Sequence, residues 1–436
     1  MRKILLNILK YILKQLARLF IFRYQPEIIG ITGSVGKTST KEAVKAVLEK
    51  DFNVRAASKN FNNELGLPLT ILGDWRESGG WFFWLKVIIC SIKNLIFKSR
   101  AYPKILILEY GVDRPNDMKY LLSIAKPKIG IVTALGEIPV HIEFFSNIQS
   151  LVREKSKLIA QLPATGFGLL NIDDRFVWEM REQSRAPIVS FGFSEMADIK
   201  ISNFENHFEK GIGGISFKLS YGGNAVPIKI ENTLGRSQAY AAAAAAGVGL
   251  ILGMNLVKIS EALHFYQSPP GRLKIIPGLK ESFIIDDTYN AAPLSTINAL
   301  STLKELKGAR KIAVLGDMLE IGKYTVSSHE TVGRLAAKIV DLLIVVGFKA
   351  KFIAEAASKT GLSTKSIFVF TSLAETANFL KQKIKKGDII LVKGSQAVRL
   401  EKVVKALMKE PEKAENLLVR QNKQWRHISG MYDIDF

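Results

Sequence analysis

The chain has 436 residues, enough for two or three domains, and its 47% hydrophobic and 23% charged residues are typical of a globular protein. Its 61 Lys and Arg against 40 Asp and Glu give a formal net charge of +21, which favours polyanionic partners such as nucleotides or an anionic membrane face. No DNA- or RNA-binding motif accompanies this charge, so nucleic acid is not an expected partner. The single cysteine, Cys90, excludes a disulfide framework and a four-cysteine zinc site and favours a reducing, cytoplasmic setting.

Residues 1–23 alternate apolar groups with basic ones, and Lys3, Lys10, Lys14 and Arg18 are spaced to share one side of a helix. The longest apolar run, Leu19 to Phe22, is too short to cross a membrane, and no cleavage site follows it. Two interpretations stay open: a helix at the membrane surface, or a surface helix packed on its own domain.

A phosphate-binding loop is predicted at Gly30 to Thr40. The apolar pair Ile28-Ile29 precedes it as a strand, and the residues after it have the spacing of one helical face. Strand, glycine loop and helix N-terminus together bind phosphate, and the predicted ligand is ATP with Mg²⁺. The strict Walker pattern needs glycine where the chain has Ile31, so the motif alone does not decide. The predicted cofactor-binding residues here are Gly33, Ser34, Gly36, Lys37, Thr38 and Ser39.

Two further stretches precede the next core strand. The segment Asn60 to Pro68 carries Asn60, Asn62 and Asn63, whose amides suit contact with a peptide or nucleotide substrate, although turn formation and helix capping would also explain them. The apolar stretch Trp81 to Phe97 contains two lysines, so it is a poor spanning helix and is expected to lie on a membrane surface or to pack against another helix.

Metal ligands are predicted at one edge of the sheet. The buried strand Lys104 to Tyr110 ends in Glu109, where the metal of bound ATP would sit, unless this is only a solvated charge at a strand end. The strand Ile129 to Thr133 delivers a loop with His141, the second candidate, to the same edge.

The rest of the chain predicts an α/β protein. The segment Leu151 to Leu162 is a helix carrying Lys155, and Ile199 to Ile230 alternates with period two, which predicts a small antiparallel ribbon beside the parallel sheet. The break at Ser268 to Gly271 is followed by a Rossmann-like unit without a dinucleotide fingerprint. The predicted domains are a basic amphipathic helix (1–25), a central ATP-binding phosphate-loop domain with a parallel sheet (26–268, with an apolar insert at 80–98) and a C-terminal Rossmann-like domain (269–436).

Together these motifs resemble the Mur ligase family, ATP-dependent amide-forming enzymes of peptidoglycan (cell-wall) precursor synthesis, and within it the MurF branch, which adds D-alanyl-D-alanine to UDP-N-acetylmuramoyl-tripeptide. The motifs run in family order along residues 28 to about 408. They are Thr32 to Ser39, Asn60 to Pro68, Leu108 to Gly111, His141 to Glu143, Arg153 to Lys155, Asn171 to Asp174, Pro270 to Leu273, Asp286 to Asn290, Leu315 to Glu320 and Val392 to Ser395.

The resemblance implies roles for the residues around the phosphates. Lys37 and Thr38 are expected to bind the phosphates of ATP and one Mg²⁺, and Glu109 and His141 to hold metal. Lys155 matches the lysine that the family carbamylates to make a metal-bridging carboxylate. Lys37, Lys155, His141 and Arg272 are thus the expected catalytic residues.

The resemblance also assigns the C-terminal domain. Arg272 would reach the γ-phosphate on domain closure, and Asp287 and Asn290 would contact ribose and adenine. Lys393 and the loop Asp317 to Glu320, with Asp317 and Glu320 themselves, would line the side of the cleft that receives the amine.

The sequence departs from the family in three places. Family members usually begin with a domain that grips the uridine nucleotide, whereas about 27 residues precede the first strand here, which leaves recognition of that nucleotide open. Where the family often has two asparagines, the chain has Gln238 and Ala241, and the insert Trp81 to Phe97 is not a family feature.

The expected reaction is transfer of the γ-phosphoryl of ATP to a substrate carboxylate, followed by attack of an amine such as D-alanyl-D-alanine on the acyl phosphate. A monomeric, cytoplasmic enzyme is expected, with peripheral contact to the inner face of the membrane through residues 1–23 and 81–97. The alternatives are a non-catalytic ATP-binding membrane scaffold, and a Mur-type or folylpolyglutamate-type ligase with another substrate.

Overall fold

A computed structural model describes residues 2–57, 61–75, 79–209, 212–307, 310–422, 425 and 428–433. The strands are β1 (Glu27–Thr32), β2 (Val54–Ala56), β3 (Ile105–Glu109), β4 (Ile129–Val132), β5 (Phe167–Asn171), β6 (Ile188–Gly192), β7 (Ile199–Glu209), β8 (Ile212–Tyr221), β9 (Asn224–Glu231), β10 (Lys274–Pro277), β11 (Phe283–Asp287), β12 (Lys311–Gly316), β13 (Leu342–Val346), β14 (Ile367–Phe370) and β15 (Ile389–Lys393).

The α-helices, in the same order along the chain, are α1 (Arg2–Tyr24), α2 (Lys37–Leu48), α3 (Gly66–Leu72), α4 (Trp81–Ile96), α5 (Asp117–Leu122), α6 (Ile148–Ala160), α7 (Arg175–Trp178), α8 (Arg236–Ile251), α9 (Leu256–His264), α10 (Pro293–Glu305), α11 (Thr325–Ala336), α12 (Lys351–Lys359), α13 (Leu373–Lys383), α14 (Glu401–Leu407) and α15 (Ala414–Leu417). Short 3₁₀ turns at Ile142–Phe144 and Gly322–Tyr324 take part in the site described below.

The first sheet has nine strands in the order β2-β3-β1-β4-β5-β6-β7-β8-β9. The strands from β2 to β7 pair in parallel, and β7, β8 and β9 continue the sheet as an antiparallel ribbon. The ribbon predicted from the period-two pattern is therefore confirmed, as an extension of the parallel sheet. Because β1 lies near the middle, its carboxyl end and the phosphate loop sit between the ends of β3 and β4.

Both faces of this sheet are covered, as expected for parallel strands that are apolar throughout. Along β1, Ile28 packs into a cluster with residues of α1 and α3, whereas Ile29 and Ile31 pack into a second cluster with α2 and α8. In α8 the run Ala241 to Ala246 is fully buried. Small side chains let α8 approach the sheet and α2 closely.

The second sheet has the order β10-β11-β15-β12-β13-β14, with every pair parallel except β10 with β11. Its helices α10 to α14 alternate with the strands, which gives the expected Rossmann-like layout. The segment Ser268 to Gly271 joins α9 to β10 between the two sheets. The domain boundaries at 25/26 and 268/269 stay predictions.

The two apolar segments outside the family pattern form α1 and α4. α1 packs on its own domain through Leu13, Leu16, Ala17 and Phe20, all buried. Among the described residues no helix combines the length and apolarity needed to cross a bilayer.

Candidate nucleotide and metal site

The loop between β1 and α2 has the geometry of a phosphate cradle. Gly33 has φ +142°, and a Cβ there would lie 2.0 Å from Thr133 Oγ1, so only glycine fits. Gly36, at the N-terminus of α2, has φ +94°. Ser34 Oγ is buried, and none of the described residues provides it with a hydrogen-bond partner. The unused hydroxyl and the free amides at the start of α2 suit an anionic ligand.

Two lysines converge on this loop, the buried Lys155 and the half-buried Lys37. Lys37 Nζ donates to Gly33 O at 2.9 Å, and Lys155 Nζ, from α6, donates to the same oxygen at 3.1 Å. Burial lowers the pKa of Lys37, and burial together with the charge of Lys37 lowers the pKa of Lys155 to about 7. No carboxylate of the described residues forms an ion pair with either lysine. The loop thus holds two lysines that no carboxylate of the described residues pairs with.

Oxygen ligands for a metal face the same loop. Thr38 Oγ1 lies 3.4 and 3.5 Å from the carboxylate oxygens of Glu109, and Asn62 Nδ2 lies 3.4 Å from Glu109 Oε1. Ile31 of β1 pairs with Glu109 of β3, which explains why the loop and the carboxylate meet. A hydroxyl and a carboxylate are ligands that Mg²⁺ prefers. In the described part of the chain, no three His, Cys, Asp or Glu side chains cluster closely enough to bind a metal alone.

His141 lies between the two α/β units. It adopts the left-handed conformation (φ +70°), with Nε2 3.2 Å from Asp113 Oδ1 and Nδ1 2.9 Å from Glu320 Oε2. Glu320 is in the C-terminal unit, so two of the predicted residues meet here across the interface. Asp113, four residues after Glu109, was not predicted from the sequence, although its place after a strand end was a usable signal.

Predicted residues of the C-terminal unit meet at the ends of β11 and β15. Lys393 Nζ contacts Asp287 Oδ2 at 2.6 Å and Asn290 O at 3.0 Å, and both charged groups are buried. Asn290 Oδ1 accepts from the backbone amide of Ala291 at 2.9 Å. Burial raises the pKa of the neighbouring Asp286 to about 6, and this carboxylate accepts hydrogen bonds from Thr288 and from Gly271 N.

Arg272 stacks on Tyr289, with its guanidinium carbon 3.9 Å from the ring centroid. Arg420 holds the same turn from the other side by donating to the carbonyl oxygens of Thr288 and Tyr289. Gln238, buried at the start of α8, donates to Arg272 O at 3.1 Å. Tyr289 and Arg420 were not predicted from the sequence, because nothing local marks the distant Arg420 as a partner of this turn.

A cavity of about 30 Å³ separates the phosphate loop from the C-terminal unit. It is lined by four predicted residues, Gly36, Ser39, Arg272 and Asp287, and by Lys393, which was expected on the amine side. Its wall also contains Ser237, Ser295 and Asn298, which were not predicted from the sequence. Such a volume holds one water molecule and not a nucleotide.

Two predicted substrate residues have structural partners. Asn63 Oδ1 accepts from the backbone amides of Leu65 and Gly66 and so caps α3. The carboxylate of Asp317 is buried and accepts from Ala350 N and from Tyr432 Oη at 2.7 and 2.6 Å. Asn60 lies outside the described residues. The substrate roles of these residues stay predictions.

This arrangement, a phosphate loop with a facing carboxylate and a second α/β unit over it, defines an ATP-dependent ligase. Profiles of known families match most of the chain: the Mur ligase middle domain matches residues 31–78 and 90–249, and the Mur ligase glutamate ligase domain matches residues 271–396. The chain belongs to the Mur ligase family.

The similarity of the chain to individual proteins is consistent with this family. It is 28% identical over 405 residues to the UDP-N-acetylmuramoyl-tripeptide–D-alanyl-D-alanine ligase of Bacillus subtilis, covering 92% of this chain and 79% of that one. It is 30% identical over 412 residues to the ligase of the same name from Mycobacterium leprae (86% and 72%). The crystal structure of MurF ligase from Thermotoga maritima in complex with ADP superposes with a TM-score of 0.74 at 26% identity, covering 92% of this chain and 84% of that one.

Proposed function

We propose that this protein joins the carboxylate of a peptide-bearing cell-wall precursor to D-alanyl-D-alanine or a similar amine, with ATP converted to ADP and phosphate. The convergence of Lys37 and Lys155 on Gly33 O, beside Thr38 and Glu109, carries the proposal. Lys37 has no carboxylate ion-pair partner among the described residues, and the phosphates of ATP provide the anion that it needs. The relatives named above act on the same pair of substrates by name.

The chemistry requires activation because a carboxylate has no good leaving group. Phosphoryl transfer from ATP to the carboxylate oxygen breaks the bond between the γ-phosphorus and the bridging oxygen and forms an acyl phosphate. The free amine then attacks the carbonyl carbon, and phosphate leaves while the amine loses a proton. Lys37 stabilises the charge on the transferred group, and Arg272 does so from the C-terminal unit.

The residues present fit a magnesium ion, the second component of the proposal. Thr38 and Glu109 would hold it together with nucleotide phosphate oxygens, and Mg²⁺ would neutralise charge on the phosphates. A pKa of about 7 leaves much of Lys155 as the neutral amine that carbon dioxide requires, so this lysine can become a carbamate and supply an anionic ligand. His141 would join the metal ligands only after releasing Asp113 or Glu320.

Nucleotide binding must also separate the two units, because the cavity between them is too small for ATP. Arg272 and Lys393 belong to the unit that would move, and Lys37 to the unit that would stay. Closure over ATP would then bring Arg272 onto the γ-phosphate and exclude water from the acyl phosphate.

We propose that the protein works as a monomer in the cytoplasm, with peripheral contact to the inner face of the membrane.

Phosphate release tests the proposal. It should require Mg²⁺, D-alanyl-D-alanine and a peptide carboxylate together, measured against a panel of precursor peptides with and without the uridine nucleotide. Folate with glutamate in place of the peptide and the dipeptide tests the folylpolyglutamate-type alternative. Full release with neither peptide substrate would identify a simple ATPase, and ATP binding with no release under any condition would favour the scaffold.

The carbamate has its own test. Lys155→Ala should lose ligase activity, and short carboxylic acids should restore part of it because they can occupy the vacated anionic position. Arg153→Ala, exposed on the same helix, is the matched control. Full activity of Lys155→Ala in bicarbonate-free buffer would remove this role.

A further inference from the structure

The outer faces of α1 and α4 together form the most apolar part of the described surface. Of the 25 large hydrophobic side chains that are exposed in the described residues, 14 belong to residues 4–22 and 81–97. Phe22 is 80% exposed and Phe82 is 84% exposed. Soluble monomers rarely expose contiguous apolar areas of this kind, and such areas mark sites of interaction.

α1 has two apolar faces. Leu13, Leu16, Ala17 and Phe20 pack on the domain, whereas exposed apolar residues recur at three- and four-residue steps on the opposite side of the helix. A single packed face would explain an ordinary amphipathic surface helix, so the second face needs another partner. The exposed residues on this side are Ile4, Ile8, Tyr11, Leu19 and Phe22, and Leu5 and Leu6 are exposed as well.

α4 repeats the pattern. Only Val87 and Ser91 are buried, and an exposed apolar stripe follows the other side of the helix. The lysines Lys86 and Lys93 are exposed and lie seven residues apart along one border of that stripe. The stripe consists of Phe82, Leu85, Ile89, Ile92 and Ile96.

The two helices are joined into one surface. Tyr24 Oη of α1 donates to Asn94 O of α4 at 2.6 Å, and Tyr24 also stacks on Tyr102 with ring centroids 4.1 Å apart. Arg23 Nη2 reaches Ile96 O at 3.4 Å. The apolar faces therefore keep a fixed relation to each other and to the domain.

The charge on this surface has one sign. Neither α1 nor α4 contains an acidic residue, and their basic residues stand beside the apolar stripes. Lys10 Nζ forms an ion pair with Glu64 Oε1 at 2.5 Å. No carboxylate in the described residues pairs with Arg18, Lys86 or Lys93. An exposed apolar face bordered by unpaired cations complements a bilayer with anionic headgroups.

We propose that the outer faces of α1 and α4 form a docking surface for an anionic lipid bilayer, a property that goes beyond the ligase activity. Its position has a consequence for the site. Lys10 ties α1 to Glu64, in the segment that also carries Asn62, whose amide contacts Glu109. Docking would hold the side of the cleft that carries Asn62 about one helix diameter (~10 Å) from the lipid, within reach of a peptide carried by a membrane-bound precursor.

Co-sedimentation with phosphatidylglycerol vesicles, with phosphatidylcholine vesicles for comparison, tests the surface. The full chain should bind the anionic vesicles and bind them less in high salt. Ile8→Ser, Leu19→Ser and Phe22→Ser combined should weaken binding at least about tenfold, since three exposed apolar side chains are lost. The matched control replaces three exposed apolar residues elsewhere, Met196→Ser, Val257→Ser and Val369→Ser, and should bind like the unchanged protein.

Charge and insertion are tested separately. Lys86→Gln with Lys93→Gln should weaken binding to anionic vesicles about tenfold, while Lys338→Gln, exposed in the turn after α11, combined with Lys359→Gln, exposed at the end of α12, should not. Trp81, 71% exposed at the start of α4, should be quenched by a lipid carrying a nitroxide on its acyl chain, and Trp81→Phe should lose that quenching.

Ligase activity on soluble substrates without vesicles, together with thermal unfolding, shows that each variant is folded, so a failure of docking is distinct from a failure of the proposed reaction. A protein that stays in the supernatant with anionic vesicles at low salt would overturn the proposal. So would equal binding by all variants. A dimer in the absence of lipid that the α1 variant dissociates, with no vesicle binding, would assign the surface to a second copy of the chain.

Discussion

Lys155 and Lys393 are buried and Lys37 is half-buried, and the surroundings of these three lysines differ between the two α/β units. Lys37 and Lys155 share one carbonyl oxygen, that of Gly33. Lys393 instead contacts the carboxylate of Asp287 at 2.6 Å. A buried ammonium is costly unless it is paired, so the first unit carries an unbalanced charge and the second does not.

This difference in pairing distinguishes lysines that are available to bind a ligand from a lysine that stabilises the fold. A saturated pair such as Lys393 with Asp287 gains nothing further from an anionic ligand unless it is first broken. The phosphate loop gains most when phosphate arrives, because Lys37 then acquires a counter-charge that the fold does not provide. We therefore expect variants of the phosphate loop to change activity more than stability, and variants of the strand-end pair to change stability strongly.

The largest expected effect is on activity. Lys37→Ala should lower ATP-dependent ligation by at least about 10³-fold, because the proposed role of Lys37 is to stabilise charge that develops during phosphoryl transfer. Stability should change little, since removal of an unbalanced charge offsets the lost contact. Lys45→Ala, on the exposed side of the same helix α2, should keep near-normal phosphate release. A Lys37→Ala variant within tenfold of the unchanged protein would contradict the comparison.

The next effect is on stability. Lys393→Met should lower the free energy of unfolding by about 3–5 kcal/mol, because Asp287 would remain buried and charged without a partner. Lys393→Met combined with Asp287→Asn should recover part of this loss. Lys386→Met breaks the exposed pair with Glu281 and should cost less than about 1 kcal/mol. Urea unfolding of the four proteins checks the order, and equal losses for Lys393→Met and Lys386→Met would refute it.

Much of this fold was predictable because its signals are local. The run Ile105 to Leu108 is apolar throughout and forms a parallel strand buried on both faces, and the period-two segment Ile199 to Ile230 forms the ribbon. Gly33 and Gly36 stand where positive φ is required, and together with the apolar strand before them and the helix after them they located the phosphate loop despite Ile31.

The site was less predictable, because its contacts join residues far apart in the chain. Asp113 and Glu320 meet His141 only through the packing of two units, and Arg420 reaches Tyr289 from the C-terminal segment. Asn63 and Asp317 carry the residue types of a binding site, yet their partners are backbone amides and Tyr432, which a sequence pattern cannot distinguish from a ligand.

The pH dependence of the stability of Lys155→Met tests the comparison between the unpaired lysines of the phosphate loop and the paired Lys393. The pKa of Lys155 is about 7 in the folded protein, against an ordinary value of 10.5, so folding is penalised whenever the unfolded lysine holds its proton. The penalty is greatest below pH 7 and fades as the pH rises towards 10.5. Lys155→Met should therefore raise the free energy of unfolding by up to about 4 kcal/mol at neutral pH, less the lost bond to Gly33 O. Urea titrations from pH 6 to about 10, in the absence of carbon dioxide, measure the gain, and a gain that grew with pH would refute the assignment.

The smallest effect concerns the contact between the two units. Glu320 pairs with His141 across the interface and is 42% exposed, so solvent screens the pair in a way that it cannot screen Lys393 with Asp287. The hydrogen bond and charge of His141 lower the pKa of Glu320, so its contribution is present above the ordinary glutamate pKa and is lost as the pH falls through the lowered folded value. Glu320→Gln should cost less than about 1 kcal/mol at neutral pH, and high salt should reduce that cost, whereas the cost of Lys393→Met should not respond to salt.

Because the pair also fastens the C-terminal unit over the phosphate loop, Glu320→Gln should speed binding of a fluorescent ATP analogue in stopped-flow mixing. Glu330→Gln, on the outer surface of α11, serves as the control because it lies outside the interface. Unchanged binding kinetics for Glu320→Gln would show that the pair does not limit opening of the cleft.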